Sequence, residues 1–252
     1  MALHPHTKEN DMLNIEHLTK KYGDNVAVDD LTLEIKSGEI YGFIGHNGAG
    51  KTTTIKSVVG ILGFEGGKIE IDGISVKDNP LACKKILAYI PDNPDLFDYM
   101  SGIKYLNFIA DVFGVSAEER QERIKKYADL FELTADLAQP INAYSHGMKQ
   151  KLAVIAAFIH NPKLIVMDEP FVGLDPKASH TLKILMRELC DKGGAIFFST
   201  HVLDVAEKLC DKVAIIKNGK LIKSGTMEEV KGDSSLENVF LELEEEKEGS
   251  ED

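Results

Sequence analysis

The sequence lacks the features of a membrane-spanning or secreted protein. No stretch approaches the roughly 18 uninterrupted apolar residues that are needed to cross a bilayer. The first ten residues lack the apolar core of a secretion signal. The three cysteines are an odd number without metal-like spacing, which is typical of inert thiols in a reducing compartment. We therefore expect a cytoplasmic protein and assign the cysteines no function.

Positive charge is also scarce, because 29 lysines and arginines face 41 acidic residues and the formal net charge is −12. Such a chain repels a polyphosphate backbone, so nucleic acid is not expected as a partner. The acidic ending, residues 242–252, predicts a solvated, frayed tail. The remaining composition, 43% hydrophobic and 28% charged over 252 residues, predicts one compact domain with room for an inserted lobe.

Apolar spacing predicts β-structure at both ends of the chain. The alternation expected of half-buried antiparallel strands occurs at Leu13, Ile15, Leu31, Leu33 and Ile35. Near the other end, the pair Asn218-Gly219 separates two short apolar runs, 213–216 and 221–222. An Asn-Gly pair in that position predicts a β-hairpin.

The middle of the chain predicts helices and buried strands in succession. Residues 101–161 show helical periodicity, which indicates a helical lobe inserted between sheet elements. Two strongly apolar runs follow, 164–167 and 195–198, and each is short enough to be a buried parallel strand. We expect a helix over 179–191 to cross between them.

Residues 45–52 read Gly-His-Asn-Gly-Ala-Gly-Lys-Thr, which matches the P-loop pattern. The segment lies between a predicted strand, 40–44, and a predicted helix, 52–62, closed by Gly63. Glycines let backbone N–H groups converge on phosphate oxygens, and the lysine adds positive charge. A glycine-rich turn that binds nothing is the alternative. We predict nucleotide binding by Gly45, Asn47, Gly48, Ala49, Gly50, Lys51, Thr52 and Thr53, with Thr52 also a ligand of Mg²⁺.

Two carboxylates and a histidine follow the predicted buried strands. Ligands of open α/β sheets bind at the carboxyl ends of strands. Asp168 is therefore suited to hold Mg²⁺, and Glu169 to polarise the water that attacks the γ-phosphate. His201 ends the second strand at the same edge and could donate a hydrogen bond to that phosphate. The alternatives are solvated acids at a strand end and a structural histidine.

A helix start shortly before the acidic pair narrows the class of P-loop protein. Residues 144–151 read Tyr-Ser-His-Gly-Met-Lys-Gln-Lys, which resembles the ABC ATPase signature, usually Leu-Ser-Gly-Gly-Gln. In order with it stand Tyr22, the run Tyr-Ile-Pro-Asp over 89–92, and Gly-Leu-Asp over 173–175. Together these motifs resemble an ABC transporter ATP-binding cassette over most of the chain.

The resemblance implies an α/β fold, with a P-loop NTPase core, an antiparallel β-layer and an inserted α-helical subdomain. It implies one domain over 10–242, followed by an acidic tail over 243–252. Within the domain, the nucleotide-binding core would comprise 10–92 and 162–230, and the helical subdomain would comprise 93–161.

The resemblance also implies ATP and Mg²⁺ as ligands and two cassettes that meet head to tail, most simply as a homodimer. Ser145 and Gly147 of one cassette would contact ATP held by the other, and Tyr22 would stack on adenine. A core tyrosine and a plain helix cap are the alternatives for these residues. A separate membrane permease would be the further partner and would hold the protein at the inner face of the cell membrane. The signature and the segment 236–241 resemble bacterial two-component exporters.

The sequence departs from the family pattern at two places. The signature carries His146 and Met148 in place of glycine and glutamine. After Tyr-Ile-Pro, the usual glutamine is replaced by Asp92, which is shorter and charged, and which we assign to Mg²⁺ or to permease contact. A turn cap before Asn93-Pro94 is its alternative. For the whole chain, the competing functions are a nontransport ABC ATPase and a small-molecule kinase. The signature argues against the kinase.

Overall fold

Two β-sheets and a set of helices make up residues 11–245, the part of the chain that the computed structural model describes. The strands are β1 Asp11–Tyr22, β2 Asn25–Lys36, β3 Ile40–Ile44, β4 Gly66–Ile71, β5 Ile74–Ser75, β6 Leu87–Ile90, β7 Leu164–Asp168, β8 Ala195–Thr200, β9 Lys212–Lys217 and β10 Lys220–Thr226. The helices are α1 Lys51–Val58, α2 Pro80–Ile86, α3 Gly102–Val112, α4 Ala117–Leu130, α5 His146–Ile159, α6 Pro176–Asp191, α7 Leu203–Leu209, α8 Met227–Lys231 and α9 Leu236–Glu245.

The smaller sheet has the strand order β2-β1-β4-β5, with antiparallel pairing throughout. Ile15 lies opposite Leu33, and Leu13 lies opposite Ile35. These apolar side chains are buried, as the alternation in the sequence predicted. The antiparallel β-layer is confirmed.

The larger sheet has the order β10-β9-β3-β8-β7-β6 and is parallel from β9 to β6. Every residue of β3, β7 and β8 is buried, which is typical of parallel strands covered on both faces. The two apolar runs are therefore neighbouring parallel strands, as predicted. Because their carboxyl ends meet at one edge, the segments after β3, β7 and β8 lie together.

The Asn218-Gly219 pair joins β9 to β10 in an antiparallel hairpin. Both residues have positive φ, 49° and 78°, as a two-residue hairpin turn requires. This prediction is confirmed.

Two predicted helix bounds are wrong. The helix after the phosphate loop ends at Val58, and Gly60 with φ +70° reverses the chain, so Gly63 does not close it. The crossing helix begins at Pro176, three residues earlier than predicted. It begins there because the Asp175 carboxylate accepts a hydrogen bond from the Ala178 N–H at 2.8 Å.

The predicted helical lobe consists of α3, α4 and α5, which lie between β6 and β7 in the chain. Leu106, Ile124 and Ile155, one from each helix, belong to the same buried cluster as the facing side of the larger sheet. No helix among residues 11–245 is long and apolar enough to span a bilayer.

The acidic ending is helical where it is described, because α9 continues through residues 242–245. This differs from the predicted frayed tail, and the apolar stripe on α9 that packs on the core explains the difference. Residues 246–252 lie outside the described part of the chain.

The three cysteines are free and buried. Burial raises the pKa of the Cys190 thiol to about 12, so the reactive thiolate is scarce at neutral pH. This agrees with the inert role expected from their spacing.

Candidate active site

The phosphate loop occupies the turn between β3 and α1, and close packing explains its glycines. A Cβ atom on Gly45 would lie 2.5 Å from the Ile216 carbonyl oxygen, and one on Gly50 would lie 2.6 Å from that of Ala27. Gly50 also has φ +107°, a conformation that favours glycine. The loop is therefore held against β2 and β9 by contacts that no larger residue permits.

Lys51 lies inside this loop and is 5% exposed. Its Nζ donates hydrogen bonds to the carbonyl oxygens of Gly45 at 2.6 Å and His46 at 3.2 Å. It also lies 3.6 Å from Oε1 of Glu169. A buried ammonium with these partners is a strong electrostatic site for an anion such as a phosphate.

Asp168 ends β7 and is held by two hydroxyl groups. Thr52 Oγ1 donates to its Oδ2 at 2.7 Å, and Ser199 Oγ donates to its Oδ1. The carboxylate is 3% exposed. A carboxylate and a threonine hydroxyl side by side are the oxygen ligands that Mg²⁺ prefers beside phosphates.

Glu169 follows directly in the left-handed region, with φ +48°. Its N–H donates to Ser199 Oγ at 3.1 Å, so one serine orients both acids. Its Oε2 lies 3.0 Å from Nδ1 of His201. Its Oε1 is buried without a hydrogen-bond partner, although Lys51 Nζ is nearby. An uncommon backbone conformation and an unsatisfied carboxylate oxygen are typical of functional sites.

These groups surround one cavity of about 610 Å³, a size typical of small-molecule sites. Of the predicted residues, it is lined by Asn47, Gly48, Gly50, Lys51, Thr52, Thr53, Asp92, Asp168 and Glu169. Gly45 contributes its carbonyl to Lys51, and Ala49 lies within the same loop, accepting a hydrogen bond from Gly219 N–H at 2.9 Å. His201 reaches the cavity through Glu169.

The cavity also has walls that the sequence reasoning missed. They are formed by Asn25, Val26 and Ala27 of β2, by His46, and by Asn218 and Gly219 of the β9–β10 turn. The turn was predicted as a hairpin but not as part of a site, and no local signal marked β2. Ser199 was also missed, although it stands two residues before His201.

Three further predicted residues, Tyr22, Ser145 and Gly147, neither line this cavity nor belong to the phosphate loop. Ser145 caps α5, where its Oγ accepts a hydrogen bond from Met148 N–H at 3.3 Å. Gly147, in the first turn of that helix, packs so closely on Gly173 that a Cβ would lie 2.7 Å from the Gly173 carbonyl oxygen. Tyr22 is 49% exposed at the end of β1. These three residues can therefore contact a partner chain, or a ligand that extends beyond the cavity.

The oxygen ligands of the cavity fit Mg²⁺ only together with phosphate and water oxygens. Among residues 11–245, no group of three or more histidines, cysteines and acids could hold a metal ion alone. Mg²⁺ in phosphate-transfer sites keeps few protein ligands and uses phosphate and water oxygens as well. Thr52 and Asp168, 2.7 Å apart through their oxygens, fit this mode, and Asp92 lines the same cavity.

The arrangement is suited to attack of water on a phosphoryl group. Lys51 and the loop N–H groups can stabilise charge on the phosphate oxygens. Glu169 can accept a hydrogen bond from water and withdraw its proton, and the neighbouring His201 can orient both.

Comparison with known proteins identifies the family and the fold of the chain. The family model described as ABC transporter matches residues 28–172. The ABC-type transporter ATP-binding protein EcsA of Bacillus subtilis (strain 168) is 33% identical over 245 residues, which cover 95% of this chain and 99% of the relative. The probable multidrug ABC transporter ATP-binding protein YbhF of Escherichia coli (strain K12) is 30% identical over 240 residues, which cover 92% of this chain and 41% of the relative. A solved structure described as the ATP-binding subunit of an ABC transporter has a TM-score of 0.90 at 35% identity and covers 93% of this chain and 100% of its own.

Proposed function

We propose a transport function from the premise that the chain belongs to the family of ABC transporter ATP-binding proteins and is an ABC-type ATPase. In this proposal it acts as a head-to-tail homodimer and drives export through a separate permease. The observation that carries the proposal is the cavity in which Lys51, Asp168 and Glu169 converge. Phosphate positioning, metal binding and water activation require these three kinds of group at one place.

In the proposed site, the loop from Gly45 to Thr53 holds the phosphates of ATP. Thr52 and Asp168 hold Mg²⁺, which when bound would neutralise charge on the phosphate oxygens. Asp92, on the cavity wall, is a further candidate ligand. Glu169 acts as the general base, and His201 orients it through the 3.0 Å contact with Oε2.

The exposed start of α5 supports a dimer. Ser145 stands at the N-terminus of a 14-residue helix, where N–H groups favour anions. It does not line its own nucleotide cavity, so ATP held by a second copy would complete the site with Ser145 and Gly147. In this proposal Tyr22, which is half exposed next to β2, stacks on the adenine of its own chain's ATP.

An apolar groove supports a permease partner. It has a volume of about 220 Å³ and lies between β6 and helices α3 and α5, with Tyr89, Pro91, Leu96, Tyr105, Ile109 and Phe113 among its walls. Phe97 and Tyr99, which follow the lining residue Leu96 in the chain, are 55% and 95% exposed. Exposed aromatic side chains around an apolar groove favour a protein partner. We assign the groove to an apolar cytoplasmic segment of the permease.

Asp92 follows Pro91 of the groove and lines the nucleotide cavity, so it stands between the two proposed sites. In this proposal, the helical subdomain 93–161 contacts the permease and the core of 10–92 and 162–230 binds ATP. The protein then lies at the cytoplasmic face of the membrane. Export is favoured because a relative is described as a probable multidrug transporter component. The net charge of −12 argues against nucleic acid.

Sizing chromatography with light scattering tests the dimer. Glu169→Gln, which should bind MgATP and hydrolyse it only slowly, is expected to elute as a dimer with MgATP and as a monomer without nucleotide. The matched control is the double variant Lys51→Ala/Glu169→Gln, which should stay monomeric under both conditions. A monomer in MgATP for the single variant contradicts the head-to-tail arrangement.

Co-purification tests the permease. The chain, tagged and expressed in its own cell, should retain an integral membrane protein in mild detergent, and that protein should stimulate its ATPase activity. The alternative, a nontransport ABC ATPase, predicts that no membrane protein is retained and that the activity is soluble and unstimulated.

A further inference from the structure

Helix α9 is attached to the rest of the molecule by an apolar stripe. Leu236, Val239 and Phe240, at the helical spacing i, i+3 and i+4, are all at most 8% exposed. They belong to the core cluster that also contains Ala206 of α7 and Val230 of α8. Helix α9 is therefore part of the folded core, although it lies outside the matched family segment 28–172.

A polar contact fixes where α9 begins. One carboxylate oxygen of Glu207, on α7, accepts a hydrogen bond from Leu236 N–H at 3.0 Å. The other lies 2.9 Å from Lys231 Nζ at the end of α8. Helix α7 itself begins two residues after His201. The start of α9 is thus tied to the element that follows the histidine of the active site.

The buried face of α9 also reaches the phosphate loop. The Phe240 ring lies 4.9 Å from the His46 ring between centroids, with an interplanar angle of 64°, an edge-to-face contact. His46 is the second residue of the loop. Its carbonyl oxygen accepts hydrogen bonds from Lys51 Nζ at 3.2 Å and from Ala49 N–H at 3.1 Å. The side chain of His46 contacts α9 while its backbone forms part of the phosphate site.

We propose that α9 is a positioning element of the nucleotide site, in which Phe240 holds His46 so that the phosphate loop keeps its binding conformation. The inference rests on the proposed assignment of the nucleotide to this loop. Without the ring contact, the loop samples conformations in which its N–H groups do not converge. The apparent affinity for nucleotide then falls in proportion to the fraction of molecules whose loop is in the binding conformation.

The expected size follows from the strength of an edge-to-face pair. Losing it should weaken MgATP binding about threefold to tenfold. Coupling is reciprocal, so MgATP should in turn slow hydrogen exchange of the α9 amides. If α9 only covered the core, the hydrogen exchange of its amides would be the same with and without nucleotide.

The test compares three variants of the full chain by MgATP titration. Phe240→Ala should bind about threefold to tenfold more weakly, and Phe240→Tyr, which keeps the ring, should bind as the wild type does. Leu236→Ala is the matched control, because it removes a fully buried side chain from the same helix without a ring contact to the loop. Leu236→Ala should also lower the melting temperature, and it should leave MgATP affinity unchanged.

Equal affinities of Phe240→Ala and wild type would overturn the inference, as would an equal loss in Leu236→Ala. If Phe240→Ala does not fold, hydrogen exchange of the wild type decides. Unchanged α9 protection with saturating MgATP overturns the inference, and increased protection supports it. Lys51→Ala separates the two proposals: normal affinity in that variant would refute the nucleotide site itself, whereas lost affinity there with normal affinity in Phe240→Ala would refute only the role of α9.

Discussion

Replacing Ser199 with alanine tests how the two acids of the active site are held. Ser199 is fully buried, and its hydroxyl donates to Asp168 and accepts from the Glu169 N–H at 3.1 Å. Ser199→Ala therefore leaves a buried carboxylate oxygen and a backbone N–H without this partner. A bond to a charged group contributes about 1.5–3 kcal/mol and a neutral one about 1 kcal/mol, so we expect about 2–4 kcal/mol of destabilisation.

Urea denaturation measures this change, and Ser57→Ala is the matched control. Ser57 is also fully buried, but its hydroxyl donates one bond to the Thr53 carbonyl oxygen of its own helix, at 2.9 Å. That variant should lose at most about 1 kcal/mol.

Activity provides the second readout. In Ser199→Ala, Glu169 loses the hydrogen bond that fixes its backbone at φ +48°, so kcat should fall about tenfold or more. A Ser199→Ala protein as stable as Ser57→Ala and fully active would refute the role given to this hydroxyl.

Three further predictions concern charge. Lys51→Ala should abolish tight MgATP binding in a nucleotide titration, because the buried ammonium of the phosphate loop is removed, and unchanged affinity would exclude this loop as the binding site. Asp92→Ala should keep ATP binding but weaken the stimulation of ATPase activity by the reconstituted permease. Equal stimulation of Asp92→Ala and the wild type would mean that Asp92 only caps a turn. Burial lowers the pKa of His160 to about 4. The unfolded chain therefore binds this proton first, and stability should fall as the pH drops from about 6.5 to about 4. Denaturation of His160→Gln across that range should show a shallower fall, and an equal slope would contradict the assignment.

The sequence predicted those parts of the fold that depend on local pattern. The alternation at Leu13 and Ile15 and the Asn218-Gly219 turn each determine geometry within a few residues. The phosphate loop was equally clear, because its glycines and Lys51 stand in one continuous segment. Helix ends were less clear from the sequence, since Gly60 and Gly63 both follow α1 closely and the chain turns at the nearer one.

The remaining walls of the site come from contacts distant in sequence. Ala27 lies against Gly50 because β2 packs beside the loop, and nothing in the local sequence of β2 indicates this. Ser199 lies in a largely apolar strand. Its role in holding Asp168 follows only from the pairing of β7 with β8, which the local sequence does not indicate. The sequence marked Phe240 only as part of the segment 236–241, which resembles exporter cassettes. Its contact with His46 spans almost the whole chain.

In the proposed mechanism, Glu169 activates water in the cavity formed by the phosphate loop and Asp168. Single-turnover hydrolysis of MgATP by Glu169→Gln tests it most directly, with Glu118→Gln, which alters an exposed acid on α4, as the control for lost charge. We expect Glu169→Gln to bind MgATP about as tightly as the wild type and to hydrolyse it about 10²- to 10⁴-fold more slowly, while Glu118→Gln is unaffected. Hydrolysis by Glu169→Gln at the wild-type rate would contradict it.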